Sequence, residues 1–278
     1  MIPVVVGSNP IGHPTTFPAP QKWRAPQLRP QSTPSSLYAA VQEAALAQIA
    51  ANRDGVLRLP DPEYLHQLRV GLRRLRSALR AFKDLLPEKR AKRLARGIRR
   101  VMREIGAARD WDVLVAWLEN ERAADAVVRA ARRQRDRAKI SARAAISRIE
   151  LEPLAARSRS KPVQAFAAAS LGRLGRKARK QARRMDWGDA QDRHALRIRV
   201  KRLRDASEFF GRKDRGLERL QDVLGGLNDI EVARRLLRGL RVNTPDLYRS
   251  LDLRESRLLR ALERMKTSSM GQVSGRRG

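Results

Sequence analysis

The sequence contains no cysteine and few aromatic residues, and each absence excludes a class of chemistry. Among the 278 residues, no cysteine is available for a disulfide, a thiolate metal site or a cysteine nucleophile, which fits a reducing compartment. Phenylalanine, tyrosine and tryptophan make up 4% of the chain, so few rings are available on which nucleic-acid bases could stack.

Long apolar runs are also missing. No stretch approaches the roughly 20 apolar residues that a membrane-spanning helix requires. The opening residues MIPVVVGSNP carry no charged side chain and are too short for a secretory signal. The sequence therefore predicts a cytoplasmic protein without membrane insertion.

Acidic residues are scarce relative to basic ones. Lysine and arginine number 61 against 29 aspartates and glutamates, which gives a formal net charge of +32 and a pI near 11.7. Such an excess repels itself in a compact fold unless an anionic partner offsets it. The candidate partners are nucleic acid, an anionic membrane surface and a phosphate polymer. Most of the cations are arginines, whose forked guanidinium suits phosphate.

The prolines separate a helical region from two tails. Eight of the fourteen prolines lie in 1–34, which is predicted to be a disordered tail, and 266–278 is predicted to be a second one. Between them, 35–265 is rich in Ala, Leu, Arg and Glu and favours helix throughout. Proline and glycine breaks leave ten predicted helical segments: 36–54, 61–86, 88–106, 110–120, 122–150, 162–185, 190–211, 213–226, 229–241 and 245–265.

One motif occurs twice. The run HQLRVGLRRLRSA, which begins at His66, aligns without gaps on HALRIRVKRLRDA, which begins at His194, 128 residues later. At the same offset Phe82 falls on Phe210. A second pair follows in the same order, with IGAARDWDV (105–113) aligned on LGGLNDIEV. The order of the motifs indicates an internal duplication.

The duplication predicts an all-α architecture. Two helical bundles of five segments each, about 35–150 and 160–265, are expected around a pseudo-two-fold axis.

Helical periodicity divides each histidine motif into an apolar face and a basic stripe. The predicted core faces contain Leu68, Leu72, Leu75, Leu79 and Phe82 in the first copy and Leu196, Val200, Leu203 and Phe210 in the second. The basic stripes contain His66, Arg69, Arg73, Arg76 and Arg80 in the first copy and His194, Arg197, Lys201 and Arg204 in the second. Cations three and four residues apart repel one another, and anions supplied by a ligand would relieve that repulsion.

Two further helices carry basic stripes. One contains Lys89, Lys92, Arg96, Arg99, Arg100 and Arg103, and the other contains Arg173, Arg176, Lys177, Lys180 and Arg184. A charged stripe on a single helix is usually a solvated face. Several stripes with few acids among them, one of them repeated with its histidine, favour an extended basic track instead.

The histidines and two aspartates leave more than one interpretation open. Neither His66 nor His194 has the second histidine or the carboxylate cluster of a metal site, so no metal is predicted. Each could donate a hydrogen bond to phosphate or contact the start of its helix. Asp110 and Asp229 each precede an apolar run, where an aspartate could cap a helix or orient an arginine.

Four motifs together resemble the CHAD family, the conserved histidine α-helical domain. They are HQLRVGLRRLR with Phe82, GAARDWDVL (106–114), HALRIRVKRLRDASEFF (194–210) and GGLNDIEVA (225–233), in the order typical of the family. The related CYTH domain, often fused to CHAD, resembles a β-barrel tunnel with an E-x-E-x-K signature. Here Pro153 follows Glu150-Leu-Glu152, so the chain resembles a stand-alone CHAD protein.

The resemblance implies two four-helix bundles around a basic central channel or groove. It also implies binding of inorganic polyphosphate and association with polyphosphate granules. Carried onto this sequence, the implied phosphate contacts are His66, Arg69, Arg73, Arg76, His194, Arg197, Lys201 and Arg204. Position on the basic stripes adds Arg80, Arg96, Arg100, Arg103, Lys177, Lys180 and Arg184 to the predicted set.

Other functions stay open as alternatives. Nonspecific nucleic-acid binding could use the same basic helices, and a scaffold could use them to bind an acidic protein or a membrane surface. An enzyme acting on phosphate chains would need a metal-binding carboxylate cluster or a nucleophile with its base, and neither pattern is visible. The sequence therefore predicts a binding protein without catalytic residues or a cofactor.

Overall fold

The fold consists of α-helices joined by short connections. The computed structural model describes residues 18–29, 31–158 and 162–274, with side chains to 265. This part of the chain holds one 3₁₀ turn, Lys83–Leu85, and no β-strand, which confirms the predicted all-α class. The α-helices are α1 Pro34–Arg58, α2 Pro62–Ala81, α3 Glu88–Asn120, α4 Asp125–Ser147, α5 Val163–Arg184, α6 Ala190–Phe209, α7 Arg215–Leu240 and α8 Pro245–Ser274.

Four helices form each half of the molecule, and consecutive helices pack against one another within each half. The prediction of five segments per half is wrong because two predicted breaks stay helical. α3 runs through Gly106, where an added Cβ would meet no other atom, and α7 runs through Gly225 and Gly226. A glycine inside a helix costs about 1 kcal/mol, which packing offsets. At Gly226 an added Cβ would lie 2.8 Å from Leu258, so glycine permits the close approach of α8.

Parts of both predicted tails lie within the described structure. Residues 18–29 lie against the helices, where Tyr64 donates to the carbonyl of Pro18 at 2.8 Å and Asn52 donates to that of Gln21 at 3.0 Å. Buried side chains thus satisfy the backbone of this proline-rich segment, so the prediction of disorder is wrong for it. At the other end, the backbone of α8 continues to Ser274. Residues 1–17, 30 and 275–278 of the predicted tails lie outside the described residues.

The two histidine motifs form matching helices. α2 and α6 each have 20 residues, and aspartates cap both: Asp61 accepts from the Glu63 amide and Asp189 from the Gln191 and Asp192 amides. The leucines predicted for the core face of α2 are all buried. A phenylalanine is the C-cap residue of each helix, and the rings of these two residues, Phe82 and Phe210, lie 5.3 Å apart.

α2 and α6 run side by side in the same direction. Ser77 donates to Asp205, 128 residues further along the chain, at 2.8 Å, and Phe82 contacts Phe210 at the same offset. Equivalent positions face each other in this way when a two-fold axis lies between two helices. The duplication of the chain stays a prediction that this geometry fits.

Candidate anion-binding site

A cavity of about 440 Å³ lies between the amino-terminal halves of α2 and α6. Side chains from α3, α7 and α8 complete its wall. We call it the histidine cavity, because both predicted motif histidines, His66 and His194, line it. The other four motif cations that reach it are Arg69, Arg73, Arg197 and Lys201. The structure therefore brings together six of the residues predicted to contact phosphate, three from each motif.

Cations greatly outnumber carboxylates in the histidine cavity. Besides the motif residues, Arg109, Arg235 and Arg254 line it, and its carboxylates are those of Asp110 and Asp229. Sequence reasoning missed these three arginines. Arg109 lies within the GAARDWDVL motif beside Asp110, which could have indicated its role, whereas Arg235 and Arg254 belong to no recognised motif.

Burial and like charge act together on the cations of this cavity. Burial lowers the pKa of Arg69, and Arg197 and Arg109 lower it further while Asp110 and Asp229 partly offset this. Burial, followed by the charges of Arg73 and Arg197, lowers the pKa of Lys201 to about 7. Without a ligand, Lys201 is therefore only partly charged at neutral pH. An anion in the cavity would favour the charged form of each group.

The two histidines differ in their surroundings. His66 is half-buried, and burial together with Arg109 lowers its pKa, so the imidazole is mostly neutral at pH 7. His194 is exposed, and its Nδ1 lies 2.7 Å from Oδ1 of Asn228. A carbonyl oxygen only accepts, so this contact is a hydrogen bond in the tautomer that carries the proton on Nδ1, which makes Nε2 an acceptor in the neutral ring. Because Asp61 and Asp189 cap the helices, capping does not require the histidines.

Asp110 and Asp229 lie inside α3 and α7 rather than at helix starts, so the capping interpretation is wrong. Oδ2 of Asp110 accepts from Nη2 of Arg235 at 3.4 Å. Burial raises the pKa of Asp110, and Arg69 and Arg235 lower it. This arrangement fits the alternative in which an aspartate orients an arginine.

Other predicted contacts lie away from the histidine cavity. Arg204 is close enough to Arg73 to lower its pKa, and Arg99 acts in the same way on Arg76. Arg80 and Lys177 line a second cavity of about 720 Å³. Lys180 and Arg184, with Lys177, line a third of about 370 Å³. Arg96, Arg100 and Arg103 are exposed on α3.

The extended basic track predicted from the sequence is divided between separate cavities in the structure. The stripe of α2 serves two cavities, because His66, Arg69 and Arg73 face the first and Arg80 faces the second. The three exposed arginines of α3 line neither cavity, since a stripe assigned by periodicity includes solvated positions.

The fold and this cavity define an all-helical protein whose two four-helix halves share a cavity lined mainly by cationic side chains. The family model of the CHAD domain matches residues 40–238, and the chain belongs to the CHAD family. No CYTH domain is detected. Within the described residues, no helix is long and apolar enough to span a membrane.

Two solved structures have the same fold. The CHAD domain from the plant Ricinus communis is 29% identical, with a TM-score of 0.59 over 87% of this chain and 90% of that one. PptA from Streptomyces chartreusis is 14% identical, with a TM-score of 0.60 over 84% of this chain and 96% of that one. No curated protein matches the sequence.

Proposed function

We propose that the protein binds inorganic polyphosphate in the histidine cavity and performs no chemistry on it. The supporting observation is that two histidine motifs, far apart in the chain, place their cations around one cavity with only two carboxylates. A structural role alone does not account for cations held this close together and partly buried. Polyphosphate binding is also what the CHAD resemblance implies.

The chemistry of polyphosphate suits this cavity. Each internal phosphate carries about one negative charge, and the polymer presents no bases, so a binder needs closely spaced cations and few other groups. Forked contacts from Arg69, Arg73 and Arg197 would hold successive phosphates. Many modest contacts acting together favour long chains over orthophosphate. Release of counterions should make binding sensitive to salt.

Two groups would change their protonation when polyphosphate binds. His66 and Lys201 have lowered pKa values in the free protein, and nearby phosphates would raise both. Binding would then be coupled to proton uptake at these side chains. The Asp110–Arg235 pair would keep its arginine beside the phosphates.

The alternative is nonspecific nucleic-acid binding through the exposed basic face of α3, which carries Arg96, Arg100 and Arg103. A duplex is too wide to enter a cavity of about 440 Å³, whereas a single phosphate chain is not. Trp117 lines the cavity but packs within an apolar cluster, so it is not a free surface for base stacking.

A competition experiment distinguishes the two functions. Labelled long-chain polyphosphate bound to the full chain is displaced with unlabelled polyphosphate or with duplex DNA at physiological salt. We expect polyphosphate to compete at least tenfold better, counted per phosphate. Equal or better competition by DNA would contradict the proposal.

We further propose that the protein is cytoplasmic and associates with polyphosphate granules. This follows from the proposed ligand, because granules present many chains at high local concentration. A fluorescent fusion should form foci in cells that make polyphosphate and should be diffuse in cells that cannot make it. Foci that persist without polyphosphate would contradict the proposal.

A further inference from the structure

The second cavity, of about 720 Å³, lies at the carboxyl-terminal end of α2, and none of its lining residues lines the histidine cavity. Its wall comes from α2, the 3₁₀ turn, α3, α5 and α6. The floor is apolar, with Leu79, Leu86, Ala95 and Leu174, and the rim is mostly basic. Its volume lies within the range of about 300–1,000 Å³ that is usual for small-molecule sites.

Two arginines at this cavity are left with their charges unpaired. Among the described residues, neither Arg80 nor Arg202 lies within 4.0 Å of a carboxylate. Burial, followed by the charges of Arg202 and Arg76, lowers the pKa of Arg80 to about 9. The Nε of Arg202 is buried and has no hydrogen-bond partner in the part of the chain that the structure describes. The pair thus presents two guanidinium groups to a cavity without an anion between them.

Each of these two arginines has an equivalent position in the other histidine motif, 128 residues away. The two equivalent residues form a counterpart of the pair on the other side of α2 and α6. Arg202 corresponds to Arg74, and Arg80 corresponds to Glu208. Nη2 of Arg74 lies 2.6 Å from Oε2 of Glu208. A carboxylate therefore stands where the second cavity has its second arginine.

An aromatic ring completes this counterpart. Nε1 of Trp23, in the segment before α1, donates to Glu208 at 2.8 Å, and its ring centre lies 5.2 Å from the guanidinium carbon of Arg74. Nη1 of Arg74 also lies 3.1 Å from Oδ1 of Asp205, so two carboxylates and one flat ring cover this guanidinium, a combination that stabilises a desolvated arginine. All three partners belong to the chain itself.

We propose that the second cavity binds a nucleoside triphosphate. The phosphates would lie between Arg80 and Arg202, and the flat base would cover Arg202 above the apolar floor, as Glu208 and Trp23 do for Arg74. Several negative charges on the ligand are matched, because Lys177 and Arg199 also line the cavity and have no carboxylate within 4.0 Å among the described residues. Both carboxylates that line this cavity are already paired, Asp84 with Arg173 at 2.9 Å and Glu88 with Lys92 at 2.5 Å. This site is separate from the proposed polyphosphate site.

Calorimetric titration of the full chain with ATP and with tripolyphosphate tests the assignment. Tripolyphosphate carries the phosphates without the ring, so we expect ATP to bind at least tenfold more tightly. Arg80→Glu recreates the arrangement of Glu208 and should weaken ATP binding at least tenfold. Arg202→Met should have the same effect and serves if the first variant fails to fold. The matched control is Arg133→Glu, at an exposed position on α4, with less than a threefold change expected.

The outcomes also separate this proposal from the polyphosphate site. Arg197→Glu, in the histidine cavity, should leave ATP binding within threefold of the wild-type value while weakening the binding of long polyphosphate. ATP that binds no better than tripolyphosphate, or that is lost with Arg197→Glu rather than Arg80→Glu, would overturn the proposal. The proposal would also be overturned if dodecyl phosphate bound and lost its binding in Arg80→Glu while ATP did not bind. The occupant would then be an alkyl anion.

Discussion

The two halves of the molecule are built on unequal cores. One continuous apolar cluster joins α1 to α4 and extends to the start of α5 and the end of α6, with Phe82 fully buried at its centre. The apolar residues of α7 and α8 are divided between two smaller clusters, one of which they share with α3 and α4. α2 is therefore supported by a large core, whereas the amino-terminal half of α6 is supported by a small one.

Ion pairs supplement the smaller cores. The buried Arg193 of α6 donates to the carbonyls of Trp187 and Gly188 and lies 3.3 Å from Glu255 of α8. Arg234 of α7 lies 2.7 Å from the same carboxylate. Three helices of the second half therefore meet at one glutamate. The α2 wall of the histidine cavity therefore depends on apolar packing, whereas the α6 wall depends partly on a charge network.

The largest expected effect comes from breaking the first core. Phe82→Ala removes a fully buried ring that contacts Tyr38, Phe166, Phe209 and Phe210. We expect the free energy of unfolding to fall by about 3–5 kcal/mol, the usual cost of such a truncation. Chemical denaturation measures it, with Ile140→Ala at an exposed position as the control. A loss below about 1 kcal/mol would contradict the assigned core.

Breaking the charge network should destabilise the second half selectively. Glu255→Gln leaves Arg193 with no charged partner, and we expect a loss of about 2–3 kcal/mol, less than for a fully buried pair because Glu255 is partly exposed. Hydrogen exchange should show increased opening of α6 to α8 before α1 and α2. The control Asp246→Asn disrupts an exposed pair with Arg249 and should cost less than about 1 kcal/mol. Equal opening of both halves would contradict the conclusion that the charge network supports the second half selectively.

Arg197→Glu tests the binding role of the α6 wall. Reversing one cation should weaken long-chain polyphosphate binding about 10- to 100-fold, or about 1.4–2.7 kcal/mol. Fluorescence anisotropy at fixed salt measures the change, and Arg133→Glu reverses an exposed charge elsewhere as the control. Unchanged affinity would contradict the residue assignment and leave the proposed function untouched.

The smallest effect is a pH dependence that Lys201 imposes. Its pKa of about 7 makes it roughly nine-tenths charged at pH 6 and one-tenth charged at pH 8. If only the charged form contributes to binding, affinity should rise by up to about tenfold as the pH falls from 8 to 6. His66, whose pKa is also lowered, adds to the same trend.

Lys201→Gln should flatten this dependence, and Lys213→Gln, at an exposed position, should not. The variant also tests stability. A lysine titrates near 10.5 when unfolded, so the unfolded chain binds more protons between pH 7 and 10.5. The stability of the wild-type protein should therefore rise with pH in that window, and the variant should lose this rise. A Lys201→Gln variant with an unchanged pH profile of binding would contradict the role of this lysine.

The helical class and the apolar and basic faces of α2 and α6 could be predicted, because the spacing of leucine and arginine in the two histidine motifs directly encodes those faces. The clustering of His66 and His194 followed from the repeat. The continuity of α7 could not be predicted, because the packing of α8 on Gly226 outweighs the local preference of glycine. Arg235 and Arg254 were missed because their approach to the histidine cavity depends on how α7 and α8 fold back.

Trp23 could not be assigned from the sequence for a related reason. Its partners, Arg74 and Glu208, lie on different helices far along the chain, and no local pattern connects them. Residues 18–29 were predicted to be part of a disordered tail because their proline-rich composition indicates the absence of a helix. Composition does not indicate whether an extended segment packs against the helices.

The pairing of Arg74 with Glu208, opposite Arg80 and Arg202, has an evolutionary consequence. In a symmetric homodimer, one codon would specify both copies of a position, and any substitution would alter both sides together. Here the two positions are encoded separately in one chain, so one can be a glutamate while the other is an arginine. A single chain with two matching helices can therefore diversify one face without losing the shared cavity that both helices build.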